Sequence, residues 1–262
     1  MSLNPPIQNW RGQRVWLMGA SSGIGAALAT ELARQGAQLV LSARREDVLA
    51  ELLQSLPGQG HLALPCDVTD APGMLAACAR IEAAWGGLDF AFYLAGDYKV
   101  QRAWDFSPAV IRQLCEINYL GAVNFADCVL PLWLKQAPKN PCGLILVSSV
   151  AGYRGLPKAL GYGPAKAALI QFAETLYLDL KARKIGVWLV NPGFVATRLT
   201  EKNDFKMPAL ISTDEAVTAL LKGLAEGGFE IDFPKRFTRL MKLLRWLPYS
   251  LYFRLVGKTT GE

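Results

Sequence analysis

The sequence predicts one doubly wound α/β domain, a seven-stranded parallel sheet with helices on both faces. Short apolar runs alternate with helix-length segments from Arg14 to about Phe233, the pattern of parallel strands joined by crossover helices. The runs are continuously apolar rather than alternating, as expected of strands covered on both sides. No internal repeat, low-complexity tract or linker divides the 262 residues, so 1–262 reads as a single domain, with 12–233 as the core and 234–262 as an extension.

Taken in order, Val15 to Met18 is a first strand that ends on a glycine, and Ile24 to Gln35 is a helix closed by Gly36. Gln38 to Ser42 is a second strand, followed by a helix from Glu46 to Leu56 that Pro57-Gly58 stops. His61 to Leu64 is a third strand, and the alanine-rich helix Ala71 to Trp85 stops at Gly86-Gly87. Leu88 to Tyr93 forms a fourth strand. A long helical zone runs from Pro108 to Gln136, with Pro131 as the expected breaking point. Gly143 to Ser148, Gly186 to Asn191 and Phe229 to Phe233 complete the sheet, with helices at Tyr162 to Arg183 and Ser212 to Glu226 between them. The last of these opens Ser-Thr-Asp-Glu, a capping box in which serine and glutamate satisfy each other's backbone donors.

Composition excludes several chemistries. The five cysteines are odd in number and include no C-x-x-C pair, which disfavours a disulfide framework and a zinc knuckle and fits buried thiols in a cytoplasmic protein. No metal site is expected. His61 is the only histidine and no G-x-S-x-G turn precedes a helix, so a serine-histidine hydrolase is not expected. No apolar run reaches the roughly 18–20 residues of a membrane span, and the residues Met1 to Trp10 lack a basic start or an apolar stretch, which argues against a secretory leader.

The first strand enters Gly19-Ala-Ser21-Ser22-Gly23-Ile24-Gly25 and then a helix. Glycines admit phosphate oxygens to the backbone, and the helix start offers unsatisfied N–H groups. The turn therefore predicts a dinucleotide crevice at the carboxyl ends of the strands, the arrangement of a Rossmann-like domain. The second strand ends Ser42-Ala43-Arg44-Arg45, where an NAD-selective site usually carries an acid. Two guanidinium groups suit the 2′-phosphate of NADP(H) instead. Arg44 is the first candidate, supported by Ser21 and Arg45. Asp67, after the third strand, has two readings: a partner for the adenine amino group or a cap on the following helix.

The motifs GASSGIG (19–25), DV (67–68), LAG (94–96), NYLG (118–121), SSVAG (148–152), YGPAK (162–166) and NPGFVAT (191–197) together resemble the short-chain dehydrogenase/reductase family, in its NADP-preferring type. The resemblance covers about Arg14 to Thr197 and implies a catalytic set of Asn118, Ser149, Tyr162 and Lys166. Tyr162 would exchange the substrate's proton. Lys166, one helical turn on, would lower the phenol's pKa and hold the nicotinamide ribose. Ser149 would bind the substrate oxygen, and Asn118 would position water leading to Lys166. It also implies cofactor contacts at Ile24, Val68, Ala95, Gly96, Pro192, Gly193, Val195 and Thr197. The family's homo-oligomers imply the same here.

Two departures stand out. Met18 replaces the family's usual threonine, and Tyr93-Leu94 replaces its usual Asn-Asn. Losing both partners of a buried polar pair costs little, whereas losing one costs about 1–3 kcal/mol. The paired change predicts a Met18–Leu94 contact.

Substrate contacts are expected from Phe194, Phe205, Met207, Pro208 and Leu210 after the NPG motif. Tyr153, Arg154, Leu156 and the segment Gly96-Asp97-Tyr98 are expected to add to them and leave a mainly apolar pocket for a carbonyl or alcohol. Seven basic residues and one acid fall in 233–262, so the chain's net +6 belongs to this tail. Phe237, Leu240, Met241, Leu244 and Leu247 recur there at helical spacing, and Pro234 and Pro248 bracket them. Two readings follow: a helix packed on its own domain or a partner subunit, or a basic amphipathic helix lying peripherally on an anionic membrane. Nucleic acid is not an expected partner, because the aromatics share the apolar side. The functional expectation is an oxidoreductase that moves hydride between NADP(H) and a carbonyl or alcohol. The alternative is a non-catalytic NADP-binding sensor or scaffold at a membrane surface.

Overall fold

The computed structural model describes residues 2–135, 141–202 and 207–260. Seven parallel strands form one sheet in the order β3-β2-β1-β4-β5-β6-β7. They are β1 (Arg14–Met18), β2 (Gln38–Ser42), β3 (Leu62–Ala63), β4 (Phe90–Tyr93), β5 (Cys142–Val147), β6 (Ile185–Pro192) and β7 (Glu230–Phe233). The order turns back between β1 and β4, and the crevice opens at this reversal, beyond the strands' carboxyl ends.

Helices α1 (Gly23–Arg34), α2 (Glu46–Ser55) and α7 (Thr213–Glu226) cover one face. There Leu28, Leu32, Leu49 and Leu220 meet Val15, Leu17, Phe90 and Phe92. Helices α3 (Ala71–Trp85), α5 (Gly121–Leu134) and α6 (Tyr162–Leu180) cover the other, with Met74, Phe125 and Leu169 against Trp16, Met18 and Tyr93. Alternate residues of β1 and β4 thus feed two separate cores, which explains why the strands read as unbroken apolar runs. The capping box forms as expected: Glu215 N–H donates to Ser212 Oγ at 3.1 Å, and Ser212 N–H to the Glu215 carboxylate at 2.8 Å.

The helical zone after β4 differs from the expectation. Helix α4 (Pro108–Cys115) runs into α5 through one wide π-turn, Glu116–Leu120, and the helix continues through Pro131. The irregularity falls at Asn118, not at the proline; Gln136, the expected end, lies outside the described residues. By length and composition the run Pro108–Leu134 could cross a bilayer. Here Leu114, Phe125, Val129 and Trp133 are buried in the domain.

The expected packing of the Met18 and Leu94 side chains does not form, although the Leu94 N–H donates to the Met18 carbonyl at 2.8 Å. The register places Met18 beside Tyr93, and both lie in the core under α5. Leu94, one residue on, packs on the opposite core, because successive strand residues point to opposite faces. Tyr93 fills the space and donates its hydroxyl to the Ile117 carbonyl at 2.5 Å.

After β7 the chain forms two helices, α8 (Lys235–Arg245) and α9 (Tyr249–Thr260), both packed on the domain. Met241, Tyr252 and Val256 are buried.

Candidate active site

A single cavity of about 860 Å³ runs from the glycine turn to the start of α6. Its floor is built by close approach. Gly19 has φ +101°, and a Cβ there would lie 2.6 Å from the Ala95 nitrogen. A Cβ on Gly25 would strike the Gly19 carbonyl, and one on Gly23, at φ +57°, would meet the Thr197 side chain at 3.0 Å. No side chain caps the start of α1 at Ser22, so its first N–H groups are left to an anion.

Arg45 reaches back to Ser21, with Nη2 3.1 Å from Oγ. Arg44 is exposed and lines the same cavity. Arg45 is therefore docked on the turn, and Arg44 is exposed beside it. Asp67 is not the cap of α3. Its Oδ1 accepts from Thr69 N–H and Oγ, both at 2.9 Å, and Asp70 caps the helix through Gly73 N–H. Asp67 stays on the cavity wall, as do Val68, Ala95, Gly96, Pro192, Gly193, Val195 and Thr197. A cradle that any Cβ would fill, an uncapped helix start and two arginines at the end of β2 fit a dinucleotide phosphate.

Three of the four catalytic candidates line the cavity: Ser149, Tyr162 and Lys166. Ser149 follows β5, and its side chain lowers the pKa of the neighbouring Tyr162 hydroxyl; its Oγ accepts from Ala151 N–H at 3.1 Å. Tyr162 is the first residue of α6. Lys166 lies one turn on, its Nζ 5.7 Å from the phenol ring centroid and donating to the Val147 carbonyl at 3.0 Å. Burial raises the Tyr162 pKa to about 12 and lowers that of Lys166 to about 7. The expectation that the ammonium lowers the phenol's pKa is not met: desolvation drives both groups toward their neutral forms.

Asn118 stands one layer behind. It is fully buried in the π-turn, and its Nδ2 donates to the carbonyls of Asp97 and Leu114, each at 2.9 Å. Between it and Lys166 lies Gly96, where a Cβ would sit 3.0 Å from Asn118 Oδ1 and 3.6 Å from Lys166 Nζ.

The substrate end is partly as expected. Tyr98, edge-on to Tyr162 at 5.3 Å, lines the cavity together with Leu156 and Phe194. Tyr153 and Arg154 do not. Tyr153 turns into the protein and donates to Glu230, while Arg154 turns outward to the carbonyls of Leu244 and Leu247. Met207, Pro208 and Leu210 lie off the wall, and Phe205 is outside the described residues. Phe237 of α8 was not foreseen in the pocket. It lines the cavity beside Phe194, ring centroids 5.4 Å apart. No signal in the sequence connects it to a motif forty residues earlier; the link is its packing on Gly193.

Residues 13–207 match the model of the family described as short chain dehydrogenase. The chain belongs to that family. It is 34% identical over 236 residues to a Myxococcus xanthus protein described as an uncharacterized oxidoreductase; the match covers 89% of this chain and 92% of that one. Two solved structures share its fold. A Burkholderia phymatum short-chain dehydrogenase/reductase in complex with NAD has a TM-score of 0.83 at 22% identity, over 90% of this chain and 94% of that one. A Burkholderia cenocepacia short-chain dehydrogenase in complex with NADP has a TM-score of 0.82 at 23% identity, over 95% and 99%.

Proposed function

We propose that this family member is an NADP(H)-dependent oxidoreductase that interconverts an apolar carbonyl compound and its alcohol. One observation carries the reading: Ser149, Tyr162 and Lys166 share a single cavity with the glycine turn and the arginine pair. The cofactor would supply or accept the hydride. Its phosphates would lie on Gly19 to Gly25, with the 2′-phosphate between Arg44 and Arg45, and its nicotinamide end near Pro192, Gly193 and Thr197.

In reduction, Tyr162 donates its proton to the carbonyl oxygen as hydride reaches the carbon. The Ser149 hydroxyl donates a hydrogen bond to the same oxygen, where negative charge grows. Lys166 and Asn118, on either side of Gly96, return a proton from solvent to Tyr162. A phenol held neutral is already in the form that gives up a proton. The wall next to it (Tyr98, Leu156, Pro157, Phe194, Leu199 and Phe237) favours an apolar substrate. The reading includes a cytoplasmic location and a homo-oligomer, which light scattering of the purified chain tests.

The deciding assay follows NADPH and NADH oxidation against a panel of aldehydes and ketones of increasing size. NADPH turnover on apolar carbonyls is expected. A folded protein that binds NADPH but turns over nothing on the panel refutes the catalytic reading, and equal use of NADH refutes the cofactor assignment.

A further inference from the structure

The α8–α9 pair turns one side to the domain and leaves the other uncovered. Arg154 fastens the inner side: its Nη1 donates to the carbonyls of Leu244 at 2.9 Å and Leu247 at 2.7 Å, and its guanidinium lies 4.0 Å from the Tyr252 ring. Tyr252 donates its hydroxyl to Gly155 O at 2.6 Å, and Lys242 binds Glu230 at 2.8 Å and Asp232 at 2.9 Å. The pair is thus locked in orientation, and its outer side is a fixed surface.

That outer side is both greasy and basic. Leu243 is 68% exposed, Trp246 86% and Phe253 62%, and Arg236 and Arg239 of α8 and Arg254 of α9 are exposed as well. The helical positions explain the mixture. Phe237, Met241 and Leu244 share the inner stripe, so Leu240 and Leu243 fall on the outside, where Arg236 and Arg239 also point. The single apolar stripe expected from the sequence is in fact two.

We propose that this outer side docks on the surface of an anionic phospholipid bilayer. Large apolar side chains this exposed on two consecutive helices point to an interaction site. Trp246 and Phe253 are exposed rather than kept to the buried apolar side that the sequence predicts for the aromatics, and a surface of leucine, aromatic and basic side chains suits the headgroup layer, where a tryptophan such as Trp246, in the turn between the helices, is at home. A second copy of the chain is a poor occupant: a two-fold contact brings the same patch against itself, setting arginines against arginines. The three arginines form no salt bridge with a described carboxylate, and the only acid in 234–262 is Glu262. Docking also places the cavity near lipid, since Phe237 and Leu240 lie one turn apart on α8; the value of this for an apolar substrate rests on the proposed reaction.

Flotation of the full chain with phosphatidylcholine vesicles, with and without phosphatidylserine, reads docking without any assay of turnover. The wild type is expected to float with the phosphatidylserine vesicles and to be released by high salt. Leu243→Glu with Trp246→Glu, and separately Arg236→Glu with Arg239→Glu, each lower the bound fraction about tenfold or more. Thermal unfolding checks that the variants fold; should the apolar pair fail to fold, the arginine pair and the salt titration decide. A wild type that stays soluble with both vesicle types overturns the proposal. So do variants that float as well as the parent, or variants that lose no vesicle binding but fall from dimer to monomer by light scattering, which assigns the surface to a second copy.

Discussion

Lys166 lies one helical turn beyond Tyr162, its Nζ 5.7 Å from the phenol ring, yet it is bonded to the Val147 carbonyl rather than to the phenol oxygen. Burial therefore governs both groups, and each carries consequences for pH.

Burial raises Tyr162 to about 12, with the Ser149 side chain acting the other way. Below that value the phenol keeps its proton, so carbonyl reduction has its donor loaded at neutral pH. Alcohol oxidation needs the phenolate, whose share grows about tenfold for each pH unit below the pKa. We expect kcat for oxidation to climb between about pH 6 and 9 while kcat for reduction stays near level. An oxidation rate independent of pH over that range contradicts the assignment. Tyr162→Phe lowers both rates by roughly a thousandfold without weakening cofactor binding.

Lys166 has the opposite sign. Its ordinary value is 10.5 and burial brings it to about 7. Between these values the unfolded chain holds a proton that the folded chain has released, so stability rises with pH across the window and the slope vanishes below it. Lys166→Met removes this contribution. It should abolish turnover yet stabilise the fold at pH ~7 by about 0.5–2 kcal/mol, with a flatter pH dependence. Denaturant unfolding of both proteins at two pH values is the check; identical slopes refute it.

The two arginines after β2 should separate in their effects. Arg44 is exposed on the cavity wall, so Arg44→Asp should cost NADPH about 10–100-fold in kcat/KM, as expected for a lost charge-assisted bond, and leave NADH nearly unchanged. Arg45→Ala also frees Ser21 and should raise KM for both cofactors. An unaltered NADPH preference in Arg44→Asp removes the 2′-phosphate assignment.

Phe237 packs on Gly193, and both line the cavity. A Cβ on Gly193 would lie 2.7 Å from Phe237 Cδ1, and a ring can move where backbone cannot. Gly193→Ala should therefore shift the ring and raise KM for the best substrate several-fold with modest loss of stability. Phe237→Ala should admit bulkier ketones. Unchanged substrate ranking in both variants means that α8 does not shape the pocket.

Tyr93 tests the paired departure from the family pattern. Tyr93→Phe leaves the Ile117 carbonyl without its partner and should cost about 1–3 kcal/mol, measured by chemical denaturation. Tyr93→Asn, which restores the family residue, should cost more, because it also opens a cavity beside Met18 and Phe125.

Much of this was legible from residue order alone. The seven strands follow from apolar runs punctuated by glycine and proline, because strands buried on both faces need no polar alternation. The candidate site residues stand out because each lies in a short motif at a fixed place: the cofactor turn Gly19 to Gly25 at a strand end, and the catalytic candidates Tyr162 and Lys166 one turn apart. The Met18–Leu94 pairing failed because it treated neighbours on adjacent strands as partners without regard to the pleat. Tyr153 and Arg154 were misplaced because a loop's side chains point wherever a partner lies, and theirs are Glu230 on β7 and the carbonyls that end α8.

Order along the chain determined the sheet, the dinucleotide turn and the candidates for the reacting groups, since those depend on periodicity and on contacts a few residues apart. The tertiary structure alone decided that Asn118 sits behind Gly96, that burial raises the pKa of Tyr162 and lowers that of Lys166, and that Phe237 lines the pocket. Each of these depends on segments distant in the chain meeting in space. Desolvation and steric closure are properties of that meeting and leave no mark on local spacing.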